Sequence, residues 1–134
     1  ATVDAAGKVT VKGPGVAKIT VKAAATTDYK AASKTVTVTV APKKQSISLV
    51  NKIKKQLTIK WKKNTKASGY QVVYSTNKKF TGKKTVRKAK TTISYKIKGL
   101  KKGKKYYVKV RSYKTVNGKR IYGAYSTAKK ATIK

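Results

Sequence analysis

Tyr107, Lys109, Arg111 and Tyr113 fall at every second position of one stretch, and Lys119 and Arg120 follow shortly after. On an extended backbone, alternate side chains point to one side, so the first four make a row of rings and cations. Gln71 and Val73 take the matching face of the stretch 69–76, and adjacent strands would bring Tyr107 and Tyr113 near Val73, Tyr122 or Tyr125. Such a row has a recognisable chemistry: rings stack on sugars or bases while Lys and Arg hold phosphate or sulfate. The competing reading is a sheet face that is merely solvated, or that touches a neighbouring domain, and is aromatic because rings favour strands.

Catalysis has little to draw on. The 134 residues include no His, no Cys and no Glu, and the only carboxylates are Asp4 and Asp28. General acid–base work depends on His or a carboxylate of tuned pKa, and covalent catalysis on an activated nucleophile. Metal sites need His, Cys or clustered carboxylates, and two aspartates fall short of the oxygen cage that calcium takes. Turn or strand-end roles are expected for both. The reading is therefore non-enzymatic, with no metal and no cofactor.

Charge divides the chain. Residues 1–40 carry six Lys and both Asp, net +4, whereas residues 41–134 carry 30 of the 36 cations and no acid. A boundary near Ala41-Pro42 is expected to separate residues 1–41 from residues 42–134. So much like charge destabilises a compact state, and a good core or bound anions must offset it. Of the cations only Arg87, Arg111 and Arg120 are Arg. Bidentate reading of guanine favours Arg, so Lys in this proportion suggests diffuse, salt-sensitive attraction to polyanions and no specific nucleic acid.

Lys pairs at 43-44, 54-55, 62-63, 78-79, 83-84, 101-102, 104-105 and 129-130 fall mostly at expected turns and strand ends. Spread over both ends of a molecule, they read as general surface electrostatics, since a dedicated site concentrates charge. No apolar run reaches about 18 residues, so membrane insertion is not expected. Lacking an initiating Met and any sorting motif, the chain reads as a piece of a longer polypeptide.

Positioning the row requires strands. Apolar residues alternate with Thr or Lys throughout, which is the period of half-buried strands, and no helical period of useful length occurs. Strands are predicted at 8–12, 16–22 and 35–40, with turns at Gly7, Gly13-Pro14-Gly15 and 24–29. Further strands are predicted near 46–50, 56–62, 69–76, 83–88, 91–97, 105–115, 119–125 and 129–133. Four sets should share inward faces: Leu57, Ile59 and Trp61; Tyr70, Val72 and Tyr74; Ile93, Tyr95 and Ile97; Tyr106, Val108 and Val110. These imply two sheets packed face to face. Asn117-Gly118 signals a two-residue type I′ hairpin.

Residues 45–134 carry an ordered set of motifs: Trp61 at the end of the second strand, Gly69-Tyr70-Gln71-Val72-Val73-Tyr74 in the third, the stretch from Leu100 to Val110, and Ala124-Tyr125-Ser126 before the last. In this order they resemble a fibronectin type III domain, an immunoglobulin-like β-sandwich. The resemblance implies an all-β fold with Trp61 and Tyr70 in the core, and a tyrosine corner in which the Tyr106 hydroxyl bonds back toward Leu100 or its neighbours. The loop 114–120 contains no Arg-Gly-Asp, so integrin adhesion by that route is unsupported.

Ala1-Thr2-Val3-Asp4, Gly7, Val9 and Gly15 to Ile19-Thr20 resemble the C-terminal half of a group 2 bacterial immunoglobulin-like domain. A half-sandwich leaves apolar surface and strand edges in water. It is either a remnant, or completed by another chain in a strand-exchange dimer, or rearranged onto the second domain. The Lys-rich character of 101–114 and 117–126 is similar to repeats of Gram-positive surface proteins, which implies an extracellular, wall-associated setting.

Together these expectations describe a non-catalytic spacer and adhesion module of a bacterial cell-surface or secreted protein. Its partners would be neighbouring domains of the same polypeptide and anionic cell-wall polymers or surface glycans. The alternatives are a dedicated polyanion- or glycan-binding module using Tyr107, Lys109, Arg111, Tyr113, Lys119 and Arg120, or an accessory domain of a secreted hydrolase.

Overall fold

Alternation of side chains is realised throughout the computed structural model, which describes residues 1–134 and contains twelve β-strands and no helix. The first four strands make two ribbons. Strands β1 (Thr2–Val3) and β2 (Val9–Thr10) pair around a turn in which Asp4 Oδ1 accepts the N–H groups of Ala6 and Lys8. Gly7 takes a positive φ of 80° there, a conformation that glycine adopts without strain. The two-residue β1 escapes sequence reading because a strand so short has no period.

Strands β3 (Gly15–Ala23) and β4 (Ala32–Val40) form a longer antiparallel ribbon with Ala17 opposite Val38 and Ile19 opposite Val36. This register gathers Ala17, Ile19, Val21, Val36, Val38 and Val40 on one face and Lys18, Thr20, Lys22, Thr35, Thr37 and Thr39 on the other. The apolar face is only partly covered, with Val21 63% and Val36 46% exposed. No residue of 1–41 is buried.

The remaining strands build two facing antiparallel sheets. One holds β5 (Ile47–Val50), β6 (Leu57–Trp61) and β9 (Ser94–Ile97) in the order β5-β6-β9. The other holds β7 (Gly69–Ser75), β8 (Lys84–Ala89), β10 (Lys105–Val116), β11 (Lys119–Tyr122) and β12 (Lys129–Thr132), in the order β11-β10-β7-β8 with β12 also paired to β10. Between them lies one core: Ile47, Leu57, Ile59, Trp61 and Ile97 from the first sheet meet Tyr70, Val72, Val108 and Val110 from the second, closed by Leu100 and Ile133. Each such aliphatic or aromatic side chain contributes about 1.5–3 kcal/mol on full burial.

The rings of Trp61 and Tyr70 pack with centroids 5.4 Å apart and planes tilted by 55°, within the favourable range for aromatic pairs. Tyr106 is half-buried against this core, and its hydroxyl accepts the Lys101 N–H at 3.5 Å. The tyrosine corner thus closes beside Leu100, as the resemblance implied. Burial, then the neighbouring phenols of Tyr95 and Tyr106, push the Tyr74 hydroxyl above its ordinary pKa.

The strand predicted at 35–40 begins earlier, at Ala32, the one predicted at 8–12 shortens to Val9–Thr10, and two further boundaries differ with consequences for packing. The strand predicted at 91–97 starts only at Ser94, because Thr92 N–H bonds to the Ala89 carbonyl and turns the chain. Ile93 is consequently 51% exposed and does not join Tyr95 and Ile97, although its carbonyl accepts the Trp61 N–H. The strand predicted at 119–125 ends at Tyr122, where Gly123 is buried under Pro42; a Cβ at position 123 would collide with the Pro42 carbonyl. The hairpin before it behaves as expected, with Asn117 and Gly118 at φ 48° and 74°, the positive values that a type I′ turn requires.

The connection between the two regions is packed. Pro42 is buried, Ser112 Oγ donates to the Lys43 carbonyl at 3.2 Å, and Lys66 Nζ reaches across to the Lys12 carbonyl at 2.6 Å.

Candidate functional site

The outer face of the five-stranded sheet carries the candidate row. Strand β10 pairs with β7 so that Lys109 lies opposite Val73, Arg111 opposite Gln71 and Tyr113 opposite Gly69. On its other side β11 places Tyr122 opposite Tyr113 and Arg120 opposite Thr115. Period two therefore puts Lys109, Arg111, Tyr113, Arg120 and Tyr122 on one surface.

Cations and rings alternate along it. Lys109 Nζ sits 4.2 Å from the Phe80 ring centroid and 4.4 Å from that of Tyr125. The Arg111 guanidinium lies 3.8 Å from Tyr122 and 4.4 Å from Tyr125. Tyr122 packs on Tyr113 at 5.7 Å, and the Arg120 guanidinium stands 5.6 Å from Tyr113. Gln71 anchors the middle: its Oε1 accepts from Arg111 Nε at 2.6 Å and from the Tyr125 hydroxyl at 3.0 Å.

Beneath this layer Gln71, Val73 and Ser75 are buried although they point away from the core. The outer face is a second packed layer, and the expectation of a simply solvated face does not describe it. Residues 41–134 contain no carboxylate side chain, so rings and amide oxygens take the part that acids usually play. A cation over a ring contributes about 0.5–2 kcal/mol, more as it is desolvated.

Local sequence explains how the layer is held. Gly69 leaves room for Tyr113 to lie across β7, since a Cβ there would stand 2.5 Å from the Tyr113 hydroxyl and 2.7 Å from the Lys88 carbonyl. Phe80 is presented by a turn in which Ser75 Oγ donates to the Thr81 carbonyl and Phe80 N–H bonds to the Asn77 carbonyl. That turn holds Phe80 at φ 60°, a backbone state that costs a bulky residue about 1–3 kcal/mol.

Four of the six expected site residues come together here: Lys109, Arg111, Tyr113 and Arg120. Tyr107 shares their face, opposite Ser75 and Lys130, but its ring takes no part in the cation–ring contacts. Lys119 is excluded by the same alternation that admits Arg120: it stands opposite Val116, on the other side of the sheet. Tyr122, Tyr125, Gln71 and Phe80 complete the layer. The first three sit on strands or segments that flank the row. Phe80 belongs to a turn, where no period could point to it.

Chemically, the ladder's rings are engaged by the chain's own cations. A sugar or base stacking on the cation-covered face of Tyr122 or Tyr125 has to displace Arg111 or Lys109.

Comparison with known proteins agrees with this architecture. The family model of the fibronectin type III domain matches residues 40–128. A Kelch domain-containing protein from Sulfurisphaera tokodaii is 35% identical over 85 residues, covering 63% of this chain and 11% of that protein. The chain thus spans only a small part of that relative's length. Among solved structures, the FN1–FN3 domains of chicken CNTN1 align with a TM-score of 0.60 at 19% identity, over 77% of this chain and 37% of that one. The sixth fibronectin type III domain of human fibronectin type III domain containing protein 3 gives 0.58 at 15% identity, over 72% and 88%. Identities this low speak for the fold alone.

Proposed function

This chain belongs to the fibronectin type III family, and from that premise we propose that it is a non-catalytic extracellular spacer and adhesion module of a bacterial cell-surface or secreted protein. Its cationic surface keeps it close to anionic cell-wall polymers. The observation that carries this reading is the sandwich itself: closed, without a carboxylate side chain over residues 41–134, and bearing 30 cations. Such a surface draws polyanions through counterion release, with affinity that falls steeply as salt rises.

Two further features support it. A buried Pro42, a bonded Lys43 carbonyl and the Lys66 bridge to Lys12 make a joint suited to holding modules at a set spacing. The relative from Sulfurisphaera tokodaii is far longer than this chain and is named for a Kelch domain, which fits a module that works beside others.

Within this proposal residues 1–41 and 42–134 are separate modules. The half-open valine face of β3 and β4 supports reading residues 1–41 as part of a group 2 bacterial immunoglobulin-like domain. Its other strands are supplied by adjoining chain of the parent polypeptide or, by strand exchange, by a second copy. Light scattering on the isolated chain separates the two, since exchange doubles the mass.

The competing reading, a dedicated glycan- or polyanion-binding module at the aromatic ladder, is disfavoured because the rings are engaged internally. Binding of teichoic acid, heparin and DNA is to be measured across a salt series at matched charge. Near-equal, steeply salt-dependent binding supports the spacer. Discrimination among the three that is abolished by Arg111→Ala replaces it with the dedicated site.

A further inference from the structure

The fold gathers lysines that the sequence scatters. Lys43 and Lys44, at the joint, and Lys62, Lys63 and Lys66, in the loop after β6, line one cleft of about 360 Å³ together with Ser46 and other polar residues, and no apolar side chain faces it. Its two walls are fixed from beneath. On one side the Lys43 carbonyl accepts from Ser112 Oγ and from the buried Gln45 amide at 3.2 and 3.4 Å. On the other, Asn64 N–H donates to the buried Tyr70 hydroxyl at 2.6 Å, and Asn64 Oδ1 accepts the Lys66 N–H at 3.1 Å.

Relief of charge is unequal across the surface. Lys109, Arg111 and Arg120 face rings, but no aromatic residue lines this cleft. The chain's two carboxylates lie outside its lining, and Asp4 is occupied by its own turn. One ammonium, that of Lys66, is satisfied by the Lys12 carbonyl at 2.6 Å. The other four stand around a polar space with no internal counter-charge.

We propose that this cleft is a binding site for a multivalent phosphate anion. Lys ammoniums act on phosphate as mobile point charges, without the planar fork that Arg brings to paired oxygens. The polar lining and the lack of a ring exclude stacking on a base or sugar, and several ammoniums around one space match an anion of high charge density, for which linked phosphate groups are chosen. The proposal deepens the polyanion reading above, and rests on it for the natural source of the phosphates. It differs in giving the attraction one address, at the joint between the regions.

The test is a titration of the isotopically labelled full chain with tripolyphosphate, followed by NMR at fixed ionic strength. Saturable shifts are expected at residues 43–46 and 62–66. A K44Q/K62Q/K63Q variant should bind about tenfold more weakly. A K101Q/K102Q/K104Q variant, which removes the same charge from the opposite end of the sandwich, should change affinity less than about twofold. Inorganic phosphate should bind far more weakly than tripolyphosphate. Cleavage of the Lys43–Lys44 bond by trypsin, read by mass spectrometry, should slow when tripolyphosphate is present.

Equal losses in the two variants, shifts spread over all the lysines, or equal binding of phosphate and tripolyphosphate would each overturn the cleft. A parallel arm uses a glycerol-phosphate polymer. If the unaltered chain binds the polymer and the cleft fails, only the cleft is lost. If tripolyphosphate saturates the cleft and the polymer does not bind, the wall-association reading is lost and the cleft stands.

Discussion

Residues 1–41 and residues 42–134 obey one rule of side-chain alternation and reach opposite outcomes. In the second region two apolar faces meet, and every buried residue of the molecule lies there, from Pro42 to Ile133. In the first, the face built from Ala17, Ile19, Val21, Val36, Val38 and Val40 meets the small β1–β2 ribbon and no second sheet closes over it, and Val21 remains 63% exposed. Amphipathic strands are thus enough to form a ribbon, but burial needs a second face. The charge contrast runs the other way: the well-packed region tolerates 30 cations, whereas the open one carries net +4. A closed core offsets self-repulsion that an open ribbon could not.

The contrast is tested most strongly by truncation. Tyr70→Ala in the closed core should cost about 3–5 kcal/mol, while Val36→Ala on the open ribbon should cost less than about 0.5 kcal/mol, both read from urea denaturation. Comparable losses would mean that the ribbon is as tightly packed as the sandwich. Hydrogen exchange sharpens the same point without substitution. Backbone amides of β3 and β4 should exchange at least about a hundredfold faster than those of β7 and β10, because local opening there uncovers little packed surface.

The outer layer comes next. Arg111→Ala removes contact with two rings and the bond to Gln71, and should lower the stability of the sandwich by about 1–2 kcal/mol. Lys18→Ala, on the polar face of the ribbon, should shift it by less than about 0.5 kcal/mol. If Arg111→Ala were equally mild, the ladder would be a decoration of the surface. Raising NaCl from about 0.1 M to about 1 M shortens the screening length from about 10 Å to about 3 Å. Thermal scans should then show the transition of residues 42–134 rising by a few degrees.

The smallest effect concerns alkaline pH. The Tyr74 hydroxyl has a raised pKa in the folded chain, chiefly from burial, so its contribution is fully present below the unfolded value, near 10. That contribution is lost as pH climbs from there through the folded value, because the unfolded state releases the proton first. Lys deprotonation relieves repulsion over the same range, so the comparison must be with Tyr74→Phe. That variant should lose stability less steeply above pH about 10; identical slopes would remove Tyr74 from the account.

Much of the fold was legible. Leu57, Ile59 and Trp61, spaced by two, could only share a face, and the structure buries all three. Asn117-Gly118 announced its turn because few residue pairs accept two positive φ values. Ile93 was misplaced because alternation continues on paper through a turn that the Thr92–Ala89 bond creates. The candidate row was legible as a row, and so were Gln71, Tyr122 and Tyr125 beside it, but Phe80 was not. Phe80 reaches Lys109 from a turn 29 positions away, and no local pattern encodes such a meeting.

By itself, the sequence determined that this protein is all-β, that its two ends differ in charge, and that acid–base and metal chemistry lack their usual groups. Those properties follow from composition and from a period of two, which each segment carries locally. Tertiary structure alone decided that cations would be held by rings, that Lys119 would face away from Arg120's partners, and that lysines at 43–44 and 62–66 would share a cleft. These depend on which strands pair and in what register, and pairing is set by the whole buried face at once.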